Sequence, residues 1–214
     1  MKHVIFIILC IVVTNLVSAQ DKFKIASNNA MVTGSADPPF KHTQITLNQG
    51  LTVGDSYLGG IVAYILQPGD PGYDANMIHG IIAATHDQSN GIQWYNGRYT
   101  ATGATATALG TGNANTKTIV SRQEEGSYAA RVCFDLVMGE YSDWYLPSID
   151  ELNKLCINSN AIGGFSDIYG YWSSTEHSRV DRKVTAWDQL FFNCVQNNTS
   201  DKSNKNCVRC IRSF

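Results

Sequence analysis

Six cysteines, five histidines and eighteen carboxylates carry most of the potential chemistry in this chain, and their spacing decides what they can do. Cys207-Val208-Arg209-Cys210 has the gap of a redox pair or of half a zinc site. A redox pair sits at a helix N-terminus, which lowers one thiol's pKa. This one falls in a strand-like run, where positions three apart point to opposite faces, and no second such pair completes a zinc site. Two separate structural cysteines is the reading. Asp70, Asp74 and Asn76 bring hard oxygen ligands together in a Gly/Pro loop, but there is no EF-hand pattern and no Glu-Pro-Asn or Gln-Pro-Asp triplet, so they read as turn formers. His86-Asp87 with Ser173 or Ser174 supplies the residue types of a triad without a Gly-x-Ser-x-Gly elbow. Asp150-Glu151 and Glu124-Glu125 are adjacent, which suits a helix cap and a loop better than acid–base work. The sequence therefore predicts no catalytic residue, no metal and no cofactor.

What remains is a charge asymmetry. Gln20 to Glu176 holds 8 basic and 15 acidic residues, whereas His177 to Phe214 holds 7 basic and 3 acidic. Blocks of opposite sign suggest a surface aimed at anions, and the planar fork of Arg suits sulfate or carboxylate. The expected ligand contacts are Arg179, Arg182, Lys202 and Lys205, with Trp187 for stacking and Asn198 for amide hydrogen bonds. The plainer alternative is a hairpin with solvated charges.

The elements that must hold these residues begin after an address label. Lys2 and His3 precede an uncharged apolar run, Val4 to Val13, and Val17-Ser18-Ala19 supplies small residues before Gln20. That is the layout of a secretory signal peptide over 1–19, cleaved after Ala19, with a run too short to span a bilayer. The mature chain is thus expected to be secreted or at the cell surface, with no membrane span. A net charge of −2 over 214 residues, with 43% hydrophobic and 16% charged residues, excludes disordered and polytopic membrane classes and a general nucleic-acid binder.

Residues 20–56 read as a polar lead-in segment and 57–214 as one domain. Strands are predicted over 59–66, 78–84, 92–95, 171–175, 184–193 and 206–214, with 100–118 and 195–205 as surface loops. Two helices lie between. One follows Ser127, with Ala130, Cys133, Phe134 and Val137 on its inner face and Gly139 as its stop. The other starts at the capping box Ser148-Ile149-Asp150-Glu151. This order makes the class α+β: two helices with a small, mostly antiparallel twisted sheet and long loops. Five cysteines in the mature chain leave one unpaired. The expected bonds are Cys194–Cys207, closing the last hairpin, and Cys133–Cys210, tying a helix to the last strand.

Tyr141-Ser142-Asp143-Trp144-Tyr145-Leu146-Pro147-Ser148 with Asp150-Glu151-Leu152, Tyr171-Trp172-Ser173-Ser174-Thr175-Glu176, Ala186-Trp187 and Val208-Arg209-Cys210-Ile211-Arg212 resemble the Lcl C-terminal domain family. So do Gly80-Ile81-Ile82-Ala83-Ala84 and Gly91-Ile92-Gln93-Trp94-Tyr95-Asn96-Gly97, and the resemblance runs from about Tyr57 to Phe214. It implies a C-type-lectin-like fold and adhesion to extracellular glycans, sulfated glycosaminoglycans among them, or to surface proteins. It implies core roles for Trp144 and Trp172 and a capping role for Ser148 and Glu151. Lectin-like domains also serve as diversified, retroelement-encoded receptor-binding proteins. The assorted residues of 177–182 and 193–201 fit that alternative, with a protein ligand. Less favoured readings are an enzyme related to formylglycine-generating enzymes, with Cys207 or Cys210 catalytic, and a structural surface-layer component.

Overall fold

The computed structural model describes residues 50–177 and 184–214. The expected signal peptide, most of the expected lead-in segment, Arg179, Arg182 and Lys183 lie outside these. Strands β1 (Ser56–Tyr57), β2 (Gly60–Ile65) and β3 (Gly80–Ala83) form an antiparallel set, followed by β4 (Ser89–Ile92). Four helices come next: α1 (Gly112–Gln123), α2 (Ala129–Phe134), α3 (Ile149–Ile157) and α4 (Ser159–Ile162). The chain ends in β5 (Gly170–Glu176), β6 (Thr185–Leu190), β7 (Gln196–Asp201), β8 (Asn206–Val208) and β9 (Ile211–Ser213).

These strands make two sheets rather than one, ordered β1-β2-β3-β9 and β4-β8-β5-β6-β7, antiparallel except where β5 meets β8. The mixed α+β class holds. The predicted strand over 206–214 is two strands belonging to different sheets, broken at Arg209-Cys210. The break has a cause: Arg209 turns its guanidinium fully inside, and Cys210 is drawn into a disulfide. Close approach of backbones within the first sheet needs glycine. A Cβ on Gly80 would sit 2.2 Å from the Tyr64 carbonyl oxygen.

Two core clusters result. Trp94, Trp144 and Trp172 anchor the first, with Ile82, Ile119, Val208 and Cys210. Tyr145, Ile149, Leu152, Leu155, Tyr171, Ile211 and Cys207 form the second. Cys207 and Cys210 thus lie in different clusters, on either side of the break between β8 and β9.

Helix α3 has its reciprocal cap: the Ser148 hydroxyl accepts from the Glu151 amide at 3.3 Å, and the Ser148 amide donates to Glu151 Oε2 at 2.7 Å. Helix α1 replaces the second half of the predicted loop at 100–118. Its Asn, Thr and Gly content is poor for an isolated helix, and it forms because Thr116, Ile119 and Gln123 pack inward. Helix α2 is shorter than predicted. Tyr128, not Ser127, occupies its N-cap, and Phe134 and Val137 are exposed.

Likewise β7 runs through the predicted loop at 195–205, since pairing with β6 satisfies a backbone whose side chains are polar.

Candidate functional site

Pairing between β6 and β7 brings two of the expected ligand residues together. Ala186 pairs with Ser200 and Asp188 with Asn197, so the register break between them leaves Asn198 and Thr199 opposite Trp187. Trp187 is half-buried and packed on the second core cluster rather than presented as an open platform. Gln196, Asn197 and Thr199 are exposed. Lys205 is also exposed, in the turn after β7, with its Cβ against Gly91 of β4.

Lys202 overturns its sequence assignment. Its side chain is 0% exposed and cannot contact a polyanion at the surface. The ammonium donates to Glu176 Oε1 and to the Thr100 carbonyl at 3.0 Å, and lies 4.5 Å from the Trp94 ring centre. Glu176 also accepts from the Thr102 amide at 2.8 Å, its hydroxyl at 2.9 Å and the Gly103 amide at 2.7 Å. Burial pulls the Lys202 ammonium below the usual lysine range, and its hydrogen bond to Glu176 opposes the shift.

Arg209 and Arg212 are spent in the same way. Arg209 donates to Asp87 Oδ1 at 2.7 Å and to the carbonyls of Ala84, Gly163 and Gly164, and stacks on Phe165. Arg212 grips both oxygens of Asp143 and the Leu58 carbonyl. Its hydrogen bonds hold the Asp143 carboxyl below the usual range. Among the described basic residues of the C-terminal third, Lys205 alone is exposed. Much of the sequence's basic block is therefore internal bracing.

The disulfides divide one for one. Cys133 is bonded to Cys210 as expected, but Cys194 pairs with Cys156 of α3, not with Cys207. Cys207 cannot reach round to the hairpin because it is buried in the core on β8, and it is free. Burial pushes its thiol up to about 11.

The imagined triad has no acid to spare, since Asp87 also accepts from the Tyr171 hydroxyl at 2.7 Å, while the His86 ring lies against Thr85. Asp70 accepts from the Gln67 amide and the Tyr64 hydroxyl, and Asp74 from the Asn76 amide, as turn formers do. No cluster of three metal-binding side chains occurs among the described residues, and none of their helices is long and apolar enough to cross a membrane.

Sequence reasoning missed the carboxylate at the foot of this region. Asp188 is buried, and it accepts from Ser200 Oγ and Asn206 Nδ2, each at 2.8 Å. Burial raises its pKa, and these neutral donors oppose the rise. The folded state therefore holds the Asp188 proton more tightly than the unfolded one. That contribution is fully present below the ordinary Asp pKa and is lost as pH rises through the folded value. In urea unfolding between pH 4 and pH 7, wild type is expected to lose stability relative to Asp188→Asn as pH rises. Parallel pH profiles would refute this.

No curated protein matches the sequence. Among solved structures, a fimbrial protein from Bacteroides ovatus ATCC 8483 aligns at 14% identity with a TM-score of 0.49, over 78% of this chain and 46% of that one. This chain thus spans less than half of that protein's length. The model of the Lcl C-terminal domain matches residues 83–212, which run from the end of β3 into β9 and include all four tryptophans, the α3 cap and Arg209. That match covers well over half of the sequence, and the chain belongs to the Lcl C-terminal domain family.

Proposed function

We propose that this is a secreted, extracellular adhesion protein that binds a surface ligand and catalyses no reaction, on a C-type-lectin-like scaffold. The observation that carries the reading is the β6–β7 edge of the five-stranded sheet. Gln196, Asn197 and Thr199 are exposed there, while the side chains behind them are locked by the buried Lys202–Glu176 ion pair and the Cys156–Cys194 bond. Two small sheets, few helices and long loops are in keeping with a lectin-like scaffold. Disulfides form and persist in oxidising compartments, which supports an extracellular place of work. The engaged Asp87 and the buried, raised Cys207 thiol favour binding over catalysis.

The ligand class is an anionic glycan, met by Lys205 together with Arg179 and Arg182 of the segment that joins β5 to β6. Trp187 and Asn198 shape the edge. The test is retention on heparin under rising sodium chloride, against an equally charged cation exchanger. Wild type is expected to elute from heparin well above physiological salt. The Arg179→Ala/Arg182→Ala/Lys205→Ala variant should elute at clearly lower salt with an unchanged unfolding curve. Flow-through of wild type at low salt would remove the anionic ligand and leave a protein ligand as the better reading.

A further inference from the structure

The loop that follows β4, residues 94–100, is braced against the turn after β7. Lys202 holds both of its ends: the Lys202 carbonyl accepts from the Trp94 amide at 2.9 Å, and the buried ammonium donates to the Thr100 carbonyl at 3.0 Å. Asn96 ties the middle to α1. Its backbone amide donates to Gln123 Oε1 at 2.7 Å, its side-chain amide donates to the Gln123 carbonyl, and its Oδ1 accepts from the Arg98 amide at 3.1 Å.

This braced loop carries Tyr99, which is 39% exposed. An exposed ring ordinarily changes rotamer freely, and a ligand that stacks on it must first immobilise it. Tyr99 is already fixed twice. Its ring stacks on Tyr95 with centres 4.7 Å apart, and its hydroxyl donates to Asp201 Oδ1 at 2.7 Å. The other exposed aromatic rings among the described residues, Tyr73, Phe134, Tyr169 and Phe192, have no such stack. Tyr95 covers one face of the Tyr99 ring, so the remaining exposure belongs to the other face and the edge.

Asp201 supplies a polar rim to that face. Its Oδ1 also accepts from the Ser203 amide at 2.8 Å and the Ser203 hydroxyl at 2.7 Å, whereas Oδ2 has no hydrogen-bond partner among the described residues. The Ser203 hydrogen bonds hold the Asp201 carboxyl below its usual range, so at neutral pH the rim only accepts. Arg98 is exposed, and its guanidinium has no partner among the described residues, which makes it a free donor one position before Tyr99.

A fixed aromatic face beside a carboxylate selects its occupant. The face of the ring is the negative part of its quadrupole and attracts polarised C–H groups. A purely apolar ring would leave Asp201 Oδ2 unmatched. An anionic ring would bring its charge against both the π face and the carboxylate. A neutral pyranose matches both groups, with a face of axial C–H bonds for Tyr99 and hydroxyl donors along its edge for Asp201.

We infer that the Tyr99–Asp201 surface binds a neutral pyranose, stacked on Tyr99 and hydrogen-bonded through a hydroxyl to Asp201 Oδ2, with Arg98 as a donor at the margin. This goes beyond the anionic-glycan reading. It uses none of Arg179, Arg182 and Lys205, so heparin retention and neutral-sugar binding can fail separately.

The test is amide NMR of the purified chain, titrated at pH 7 with methyl β-D-glucopyranoside and methyl β-D-galactopyranoside. Saturable shifts at Gly97, Arg98, Tyr99 and Ser203 are expected with at least one of them. Two comparison ligands read the two halves of the site: 2-(hydroxymethyl)tetrahydropyran lacks the ring hydroxyls, and methyl β-D-glucuronide adds a carboxylate. Both should bind more weakly than the better glycoside. Tyr99→Ala should weaken binding about tenfold with an unchanged unfolding curve. Asp201→Asn keeps an oxygen for Tyr99 and Ser203 but loses the charge, and should weaken binding about fivefold. No saturable shift with either glycoside, tighter binding of the glucuronide, equal binding of the hydroxyl-free ring, or undiminished binding by either variant would overturn the site.

Discussion

Lys202→Met is expected to destabilise the protein by about 3–5 kcal/mol, the usual consequence of removing one partner of a buried ion pair. Glu176 is 3% exposed and would be left charged beside the Thr102 and Gly103 amides with no cation. The Thr100 carbonyl would lose its donor as well. Most of the effect is therefore the isolation of Glu176 rather than the loss of attraction itself. The double variant Lys202→Met/Glu176→Gln should recover a large part of the deficit, since glutamine keeps the acceptor for Thr102 and carries no charge. Urea unfolding of the wild type, both single variants and the double variant closes the cycle. A Lys202→Met protein within about 1 kcal/mol of wild type would show that the pair braces nothing. So would a double variant as unstable as the two single variants added together.

Breaking the Cys133–Cys210 bond should have an effect of similar size. The two cysteines are 77 residues apart, and the loop-closure entropy of a cross-link that long corresponds to about 4.5 kcal/mol. Cys156–Cys194 closes 38 residues, for about 4 kcal/mol. The pairs differ more in what they hold. Cys133 and Cys210 both lie in the first core cluster with the three tryptophans, whereas Cys194 is only partly buried at the margin of the second. Cys133→Ala/Cys210→Ala should therefore unfold at lower denaturant than Cys156→Ala/Cys194→Ala, and both well below wild type. The reverse order in guanidinium unfolding would contradict the placement of the long-range bond in the tryptophan core.

What the sequence disclosed follows the range of the interactions involved. The α3 cap was legible because Ser148 and Glu151 are three residues apart and satisfy each other locally. Strands β2 and β3 were legible as apolar runs, and β5 from the β-formers of Tyr171-Trp172-Ser173-Ser174-Thr175. Helix α1 and strand β7 were not, because neither carries a local signal. Asn and Thr in α1 turn inward only against the rest of the core, and Asn197 to Ser200 become a strand only because β6 offers a partner. Of the expected ligand contacts, Trp187 and Asn198 lie on the neighbouring strands β6 and β7. Lys202 failed because charge counted along a sequence carries no sign of burial. Its partner Glu176 lies 26 positions away and accepts backbone donors from residues a further 70 or so upstream. Cys194 failed for the same reason: hairpin proximity suggested Cys207, but Cys156 arrives from α3 on the other side of the loop.

The unpaired Cys207 gives the protein a built-in clock. Its thiol is sealed in the second core cluster, and its raised pKa leaves little thiolate at neutral pH, so an alkylating reagent has nothing to attack while the domain is shut. Labelling then proceeds only through openings that expose β8, the strand that joins β4 to β5 in the larger sheet. With the four other described cysteines oxidised, labelling of Cys207 would add a single mass increment and time those openings under native conditions. The rate would report how often the larger sheet opens around β8, between its edge strand β4 and β5.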